Sequence, residues 1–291
     1  MKTPLFQGAC TALVTPFLNG KVNYHMLEKL LQRQMDAGIG AVVVCGTTGE
    51  SPTLSREEKL QIIRRAKEYC GSGCTIIAGT GSNATRYAME LSRDAEEYGA
   101  DGLLVVSPYY NKATEEGLYA HYRSIAAAVH IPVVLYNVPS RTGVDIPVRI
   151  YQQLSEIPNI AGVKEATTDI SKILRIRAAC PDDFLIWSGN DEMTVPVISL
   201  GGQGVISVTS NVAPEKMQAM SHAALAGCFP AAAQLQRELL PLMEELFREV
   251  NPIPVKAAMR LLGYDCGNCR MPLTPLLPEH EKSLKELLSA Q

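Results

Sequence analysis

The chain of 291 residues has few of the side chains that usually bind metals or carry acid–base catalysis near neutral pH. Histidine is scarce, and every histidine lies in a segment of helical periodicity or next to its end: His25, His121, His130, His222 and His280. In an α/β protein a catalytic or metal-binding histidine is expected where a strand ends. The composition argues against metal-dependent and histidine-based catalysis, and we expect neither a metal nor another cofactor.

Long apolar runs, a charge excess and a cysteine framework are also absent. No apolar run approaches the ~20 residues of a transmembrane helix, and the first 14 residues show no signal-peptide pattern. The net charge of −3 gives no attraction for nucleic acid. Cys266 and Cys269 form an isolated CxxC without a second pair, and we assign them no role. We expect a cytoplasmic protein that binds neither nucleic acid nor membranes.

Short runs rich in valine, isoleucine and leucine recur along the chain, each followed by sequence of helical period. No glycine-rich phosphate-binding turn follows the first run, as an open doubly wound sheet would have. Eight strand–helix units therefore predict an α/β fold, a (β/α)₈ TIM barrel over residues 1–227, followed by a C-terminal helical domain over residues 228–291. The predicted strands are 10–15, 41–45, 75–78, 102–106, 132–136, 160–164, 184–187 and 204–208. The clearest predicted helices are 24–37, 56–70, 84–98, 215–226, 230–249, 254–262 and 279–290.

A lone lysine, Lys164, ends the apolar run 160–164. An ammonium group is costly to bury, so a buried strand end favours the neutral amine, which is the form that attacks a carbonyl carbon. Lys164 is therefore a candidate Schiff-base nucleophile. The alternative is a lysine that has left the sheet and reaches solvent along its aliphatic stem.

Polar residues also end other predicted strands, where the active sites of TIM barrels lie. Thr47 and Thr48 are flanked by glycines and could bind a carboxylate, or could simply belong to a strand-to-helix turn. Tyr136 could transfer protons beside a Schiff-base lysine, or could be an aromatic whose hydroxyl meets water. Arg141, on the next loop, could bind a carboxylate or be a surface charge.

Three of these segments together resemble the motifs of the dihydrodipicolinate synthase and N-acetylneuraminate lyase family of pyruvate-dependent class I aldolases. They are Gly-Thr-Thr-Gly-Glu at 46–50, Tyr-Asn-Val-Pro at 136–139 and Gly-Val-Lys at 162–164, and the resemblance extends over essentially the whole chain. It implies an imine between pyruvate and Lys164. The other implied roles are carboxylate binding by Thr47 and Thr48, proton transfer by Tyr136, and pyruvate-lining positions at Gly189 and Ile206.

Further segments resemble the synthase branch of this family. Arg141 is similar to the residue that holds the carboxylate of the aldehyde substrate, Tyr110 to a tyrosine that enters the site of a partner subunit, and 251–256 to a signature in the helical tail. The resemblance implies condensation of pyruvate with L-aspartate 4-semialdehyde to 4-hydroxy-tetrahydrodipicolinate in lysine biosynthesis. It also implies a proton relay from Tyr136 through Thr47 to Tyr110, and a homotetramer built from two tight dimers.

Two alternatives stay open at this point. The first is an aldolase or lyase of the same family acting on a 2-keto-3-deoxy sugar acid or a hydroxy-oxo acid, and Arg141 is the feature that separates it from the synthase. The second is a catalytically silent barrel that binds a keto acid as a regulator, which Schiff-base trapping on Lys164 would separate from an enzyme.

The sequence departs from lysine-inhibited members of the family. Their effector cleft commonly carries histidines and a glutamate, where this chain has Arg56, Lys59 and Tyr87. A cationic ligand is disfavoured beside two further cations, so we expect weak or absent inhibition by lysine. A lysine titration with half-inhibition well below millimolar would contradict this. Other positions of that effector cleft resemble those of the lysine-inhibited members, namely Ser51, Asn83 and Tyr109.

Overall fold

Eight parallel strands close into a barrel in the computed structural model of the protein, which describes residues 4–290. Each strand is hydrogen-bonded to its neighbours in chain order, and the last pairs with the first. The predicted (β/α)₈ barrel is confirmed; the outermost residues of the two predicted domains, 1–3 and 291, lie outside the described residues. The strands are β1 Gly8–Ala12, β2 Ala41–Val44, β3 Thr75–Gly79, β4 Gly102–Val106, β5 Val133–Asn137, β6 Ile160–Glu165, β7 Leu185–Ser188 and β8 Gly204–Ser207.

One helix follows each strand and packs on the outside of the barrel. A capping box between Ser55 and Glu58 fixes the start of α2, because each side chain bonds to the other residue's backbone N–H. The barrel helices are α1 Tyr24–Asp36, α2 Arg56–Cys70, α3 Thr85–Glu97, α4 Glu115–Ala126, α5 Val148–Ser155, α6 Ile170–Ala179, α7 Thr194–Ser199 and α8 Pro214–Leu225. Shorter elements are a hairpin of Phe17–Leu18 with Lys21–Val22, a one-turn helix Pro139–Thr142, and 3₁₀ turns Ser51–Thr53, Asp191–Met193 and Thr209–Asn211.

Three helices form the C-terminal tail: α9 Phe229–Glu245, α10 Ile253–Leu261 and α11 Pro278–Ser289. The predicted helix 230–249 begins one residue earlier and ends earlier than expected, at Glu245. Helix α9 packs against α8 and α7, so the predicted division between residues 227 and 228 stays a prediction. None of the helices within residues 4–290 is long and apolar enough to cross a bilayer.

The strands are buried on both faces, which explains why they read as continuous apolar runs. One apolar cluster fills the barrel and includes Tyr136, Trp187 and Ile206, while a larger one lies between the strands and the helices. The catalytic candidates therefore sit above an interior packed with side chains, at the carboxyl ends of the strands.

Strand β6 contains one extra residue, and this irregularity decides where Lys164 points. Ile160 belongs to the outer cluster and Ala161 to the inner one, so strict alternation would place residue 164 outside. The register with β5 instead shifts by one residue beside Ala161, as in a β-bulge, and Val163 faces outwards. Lys164 consequently faces the barrel interior, opposite Tyr136.

Gly162 is required at this irregularity. A Cβ atom there would lie 2.0 Å from the carbonyl oxygen of Leu185 on β7. No side chain fits at that distance, so the close approach of β6 and β7 beside Lys164 depends on glycine.

Candidate active site

The Lys164 side chain is buried beneath the carboxyl ends of the strands, with 5% of its surface exposed. Its Nζ atom lies 4.4 Å from the centroid of the Tyr136 ring. Lys164 forms no ion pair within residues 4–290, because the neighbouring Glu165 points outwards and bonds to Lys172 and Tyr151. The amine is therefore not engaged by a carboxylate of the described chain, and it can approach a carbonyl carbon in the cavity.

A cavity of about 200 Å³ opens above Lys164. Its volume suits a small keto acid rather than a nucleotide or a sugar polymer. Six of the residues predicted to form the site line it together: Thr47, Thr48, Tyr136, Arg141, Lys164 and Gly189. The carboxyl ends of β2, β5, β6 and β7 thus meet around one cavity, as the sequence predicts.

The Thr47–Thr48 turn follows β2 and is held by its own backbone. The N–H of Glu50 donates to the carbonyl of Thr47 at 3.0 Å, and Glu50 adopts a left-handed conformation with φ of 57°. The Thr48 hydroxyl is buried and accepts a hydrogen bond of 3.0 Å from the Nδ2 of Asn251. That hydroxyl keeps its own proton and can donate it to a carboxylate in the cavity.

Asn251 was not among the predicted site residues, although it lines the cavity. Besides holding Thr48, its carbonyl accepts a 3.3 Å hydrogen bond from the Nη2 of Arg141. Its Oδ1 atom is buried and has no partner within the described part of the chain. The tail thus supplies a residue that links the turn after β2 to the guanidinium after β5.

Arg141 lies at the rim of the cavity, on the one-turn helix Pro139–Thr142. Its side chain is exposed apart from the contact with Asn251, so most of its N–H donors stay available. A guanidinium in this position can bind a carboxylate that enters above the lysine.

The remaining predicted residues occupy different surroundings. Gly189 lines the cavity, and a Cβ there would lie 2.7 Å from the Cβ of Ala166. Ile206 packs in the apolar cluster inside the barrel, and Val208 of the same segment lines the cavity. Tyr110 is 90% exposed, with φ of 71°, and does not line the cavity of its own subunit.

Behind the site, Glu165 anchors the end of β6 to the surrounding helices. It accepts hydrogen bonds from Asn137 Nδ2 at 2.8 Å and from the Tyr151 hydroxyl at 2.9 Å, and it pairs with Lys172 at 3.4 Å. Burial raises the pKa of the Glu165 carboxyl, and the Lys172 ammonium opposes that rise. Because Glu165 directly follows Lys164 in the sequence, this network fixes the end of the strand that carries Lys164.

A second buried ion pair connects the tail to the turn after β2. Lys256 is 2% exposed and donates to Glu50 Oε1 at 2.8 Å, to the Thr15 carbonyl at 3.0 Å and to the Asn268 carbonyl at 3.1 Å. All three ammonium protons are thereby satisfied. The other Glu50 oxygen accepts the backbone N–H of Arg270 at 2.8 Å. This pair holds Glu50, whose N–H closes the Thr47–Thr48 turn.

The CxxC segment lies in the tail near this ion pair, away from the cavity over Lys164. Burial raises the pKa of both the Cys266 and the Cys269 thiol to about 12. Both thiols are therefore protonated and poor nucleophiles at neutral pH.

Comparison with known proteins gives a consistent result. The model of the dihydrodipicolinate synthetase family matches residues 5–291. A 4-hydroxy-tetrahydrodipicolinate synthase of Acetivibrio thermocellus is 46% identical over 99% of this chain and 98% of its own. A dihydrodipicolinate synthase structure from Aquifex aeolicus has a TM-score of 0.96 and 45% identity, covering 98% of each chain. A structure described as the first monomeric dihydrodipicolinate synthase variant has a TM-score of 0.96 and 41% identity, covering 98% of this chain and 96% of its own.

Proposed function

The chain belongs to the dihydrodipicolinate synthetase family, and from that premise we propose that it is a lyase that condenses pyruvate with L-aspartate 4-semialdehyde in lysine biosynthesis. The observation that carries the proposal is the meeting of the Lys164 amine, the Tyr136 ring and the Thr47–Thr48 turn around one small cavity. The alternative acceptors, a 2-keto-3-deoxy sugar acid or a hydroxy-oxo acid, are not favoured by the relatives, which are synthases.

Lys164 would attack the C2 carbonyl carbon of pyruvate, and loss of water from the carbinolamine would leave an imine. The pyruvate carboxylate would accept hydrogen bonds from the Thr47 and Thr48 segment. Loss of a C3 proton then gives an enamine, whose C3 attacks the aldehyde carbon of the second substrate and leaves a hydroxyl group there. The amino group of that substrate would next attack C2 of the new imine, which closes the ring of 4-hydroxy-tetrahydrodipicolinate and releases the Lys164 amine. Tyr136, beside the amine, is the group that would give and take protons in these steps.

Borohydride reduction in the presence of pyruvate tests this proposal. Reduction converts the imine to a stable secondary amine, so we expect a single modified peptide that contains Lys164. The control omits pyruvate and should give no adduct. If folded protein gave no adduct on Lys164, the imine mechanism would be contradicted. The remaining hypothesis would be a catalytically silent barrel that binds a keto acid.

Replacing Arg141 by alanine tests the identity of the second substrate. A hydrogen bond to a charged group contributes about 1.5–3 kcal/mol, so kcat/KM for the semialdehyde should fall at least about tenfold. The KM for pyruvate should change much less, since its carboxylate would bind at the Thr47–Thr48 turn. Initial rates with each substrate varied in turn measure both effects. Unchanged turnover of the semialdehyde in Arg141→Ala would favour one of the alternative acceptors.

We propose that Tyr110 of the partner subunit completes the proton relay from Tyr136 and Thr47. Tyr110 is 90% exposed and does not line the cavity of its own subunit, and both observations support a role across an interface. Activity should then fall on dilution as dimers dissociate, and Tyr110→Phe should lose activity at every concentration. The exposed Tyr69→Phe serves as the matched control. A dilute monomer with full activity per subunit would contradict the relay.

The assembly and the compartment follow as proposals. A site completed by a partner requires at least a dimer, and we propose a tetramer built from two such dimers. All eight cysteines are free in the structure, which fits a reducing compartment, and we propose the cytoplasm.

A further inference from the structure

Two residues of the C-terminal tail line the cavity above Lys164, Phe247 and Asn251, and only Asn251 is polar. It lies between α9 and α10 and is 5% exposed. Its Nδ2 atom donates to the Thr48 hydroxyl, which is the only hydrogen bond of this side chain within residues 4–290. The Oδ1 atom is buried and unpartnered. A buried oxygen without a partner is costly, so the fold alone does not explain an asparagine at this position.

The backbone that carries Asn251 is held by other contacts. The Glu249 carboxylate accepts the N–H of Leu277 at 3.1 Å and contacts Nδ1 of His280 on α11. The carbonyl of Asn251 accepts from the Arg141 guanidinium at 3.3 Å. None of these contacts uses the Asn251 side chain. A substitution at this position therefore changes the polarity beside the Thr48 hydroxyl and leaves the anchors of the segment in place.

The amide of Asn251 decides whether the Thr48 hydroxyl donates or accepts. A hydroxyl has one proton and accepts through its lone pairs. Because Nδ2 is a donor, the hydroxyl accepts from it, and its proton has no acceptor within residues 4–290. This proton is therefore available to a carboxylate in the cavity. An acceptor in the place of Nδ2 would take the proton and leave only lone pairs towards the substrate.

We propose that Asn251 is a positioning residue that makes the cavity selective for the carboxylate of a 2-keto acid. It acts through the Thr48 hydroxyl, whose proton it directs towards the carboxylate. A hydrogen bond to a carboxylate is charge-assisted and stronger than one to a neutral amide, so the keto acid binds better than its amide. This role rests on the proposed function, because it requires a keto acid bound over Lys164.

Asn251→Asp and Asn251→Ala separate this role from a role in packing. Aspartate has nearly the shape of asparagine, but when ionised it presents only acceptors, so the Thr48 hydroxyl would donate to it. We expect the affinity for pyruvate to fall at least about tenfold in Asn251→Asp and by less in Asn251→Ala. A side chain that only filled space would give the reverse order, because alanine leaves a larger void. Borohydride trapping at graded pyruvate concentrations measures the affinity, at a pH far above the ordinary carboxyl pKa of about 3.9.

Pyruvamide is the matched probe, because it has the same reactive carbonyl carbon and no negative charge. A hydroxyl that presents lone pairs can bind its N–H groups, so the ratio of pyruvate affinity to pyruvamide affinity should fall at least about tenfold in Asn251→Asp. Asn23→Asp is the control, since aspartate keeps the acceptor that caps α1 and the site is elsewhere. This control should leave the ratio unchanged.

Thr48→Val separates an effect through the hydroxyl from direct repulsion between the new carboxylate and pyruvate. In the Thr48→Val background, Asn251→Asp should lower pyruvate affinity much less than it does when the hydroxyl is present. The loss caused by Asn251→Ala should shrink in the same background, and this comparison decides the matter if Asn251→Asp does not fold. Thermal unfolding checks the fold of each variant.

Two outcomes would overturn the proposal. One is an unchanged ratio of pyruvate to pyruvamide affinity in folded Asn251→Asp. The other is an equal loss of pyruvate affinity with and without the Thr48 hydroxyl, which would mean that position 251 acts by direct repulsion or by packing. Wild-type protein that gives no adduct on Lys164 would instead contradict the proposed function, so the two failures are distinguishable.

Discussion

Replacing Lys164 by methionine is expected to reduce kcat at least about a thousandfold, because no other amine among residues 4–290 lines the cavity to form the imine. Methionine matches the length of the lysine stem and removes only the amine, which has no ion-pair partner within residues 4–290. The fold should therefore survive, and unfolding midpoints should match or exceed those of the wild type. Steady-state rates at saturating concentrations of both substrates measure the loss.

Two controls make this result specific to the amine. Lys216→Met removes a lysine from the exposed surface of α8 and should leave kcat unchanged. Lys164→Arg keeps a cation but cannot form an imine, so it should be as inactive as Lys164→Met. Retention of more than about a tenth of wild-type kcat in folded Lys164→Met would remove the lysine from the mechanism.

The second large effect is expected on stability, from Lys256→Met. This change leaves the Glu50 carboxylate buried without its cation, and breaking a buried pair in this way costs about 3–5 kcal/mol. Because the N–H of Glu50 closes the Thr47–Thr48 turn, the variant should also bind pyruvate more weakly. Urea denaturation measures the first effect and the KM for pyruvate the second.

The double variant Glu50→Gln with Lys256→Met separates a lost charge from lost packing. Removing both charges should recover much of the stability that the single change loses, since no unpaired ion stays buried. Arg86→Ala breaks a surface pair with Glu90 and should have little effect, because exposed pairs contribute little. If Lys256→Met were as stable as wild type, the ion pair would not hold the tail on the barrel.

Most of the fold could be predicted from the sequence. Strands that are buried on both faces are continuous apolar runs, and capping residues, glycine and proline mark where the helices begin and end. Helix α2 was predicted to the residue, since Ser55 and Glu58 mark its start and glycine follows its end. The hairpin of Phe17–Leu18 with Lys21–Val22 was missed, although Asn19 and Gly20 between its strands are a strong turn signal. Its two-residue strands were too short to show alternation.

Candidate site residues at strand ends could be predicted from the sequence, whereas those that the C-terminal tail contributes were missed. Lys164, Tyr136 and Thr47 each lie at or just after the end of an apolar run, and a closed parallel barrel brings the carboxyl ends of its strands to one face. Asn251 reaches Thr48 across about 200 positions of sequence, and no local pattern encodes such a contact. The same holds for Lys256 and Glu50, whose pairing depends on how the tail folds back on the barrel.

The extra residue in β6 means that the direction of the Lys164 side chain depends on the bulge and on the length of the strand together. Loss of the bulge at constant length would turn Lys164 towards the helices, whereas deletion of Ala161 would restore regular alternation and leave Lys164 opposite Tyr136. A redesign that made β6 regular would therefore have to shorten the strand by one residue to keep this amine inside the barrel.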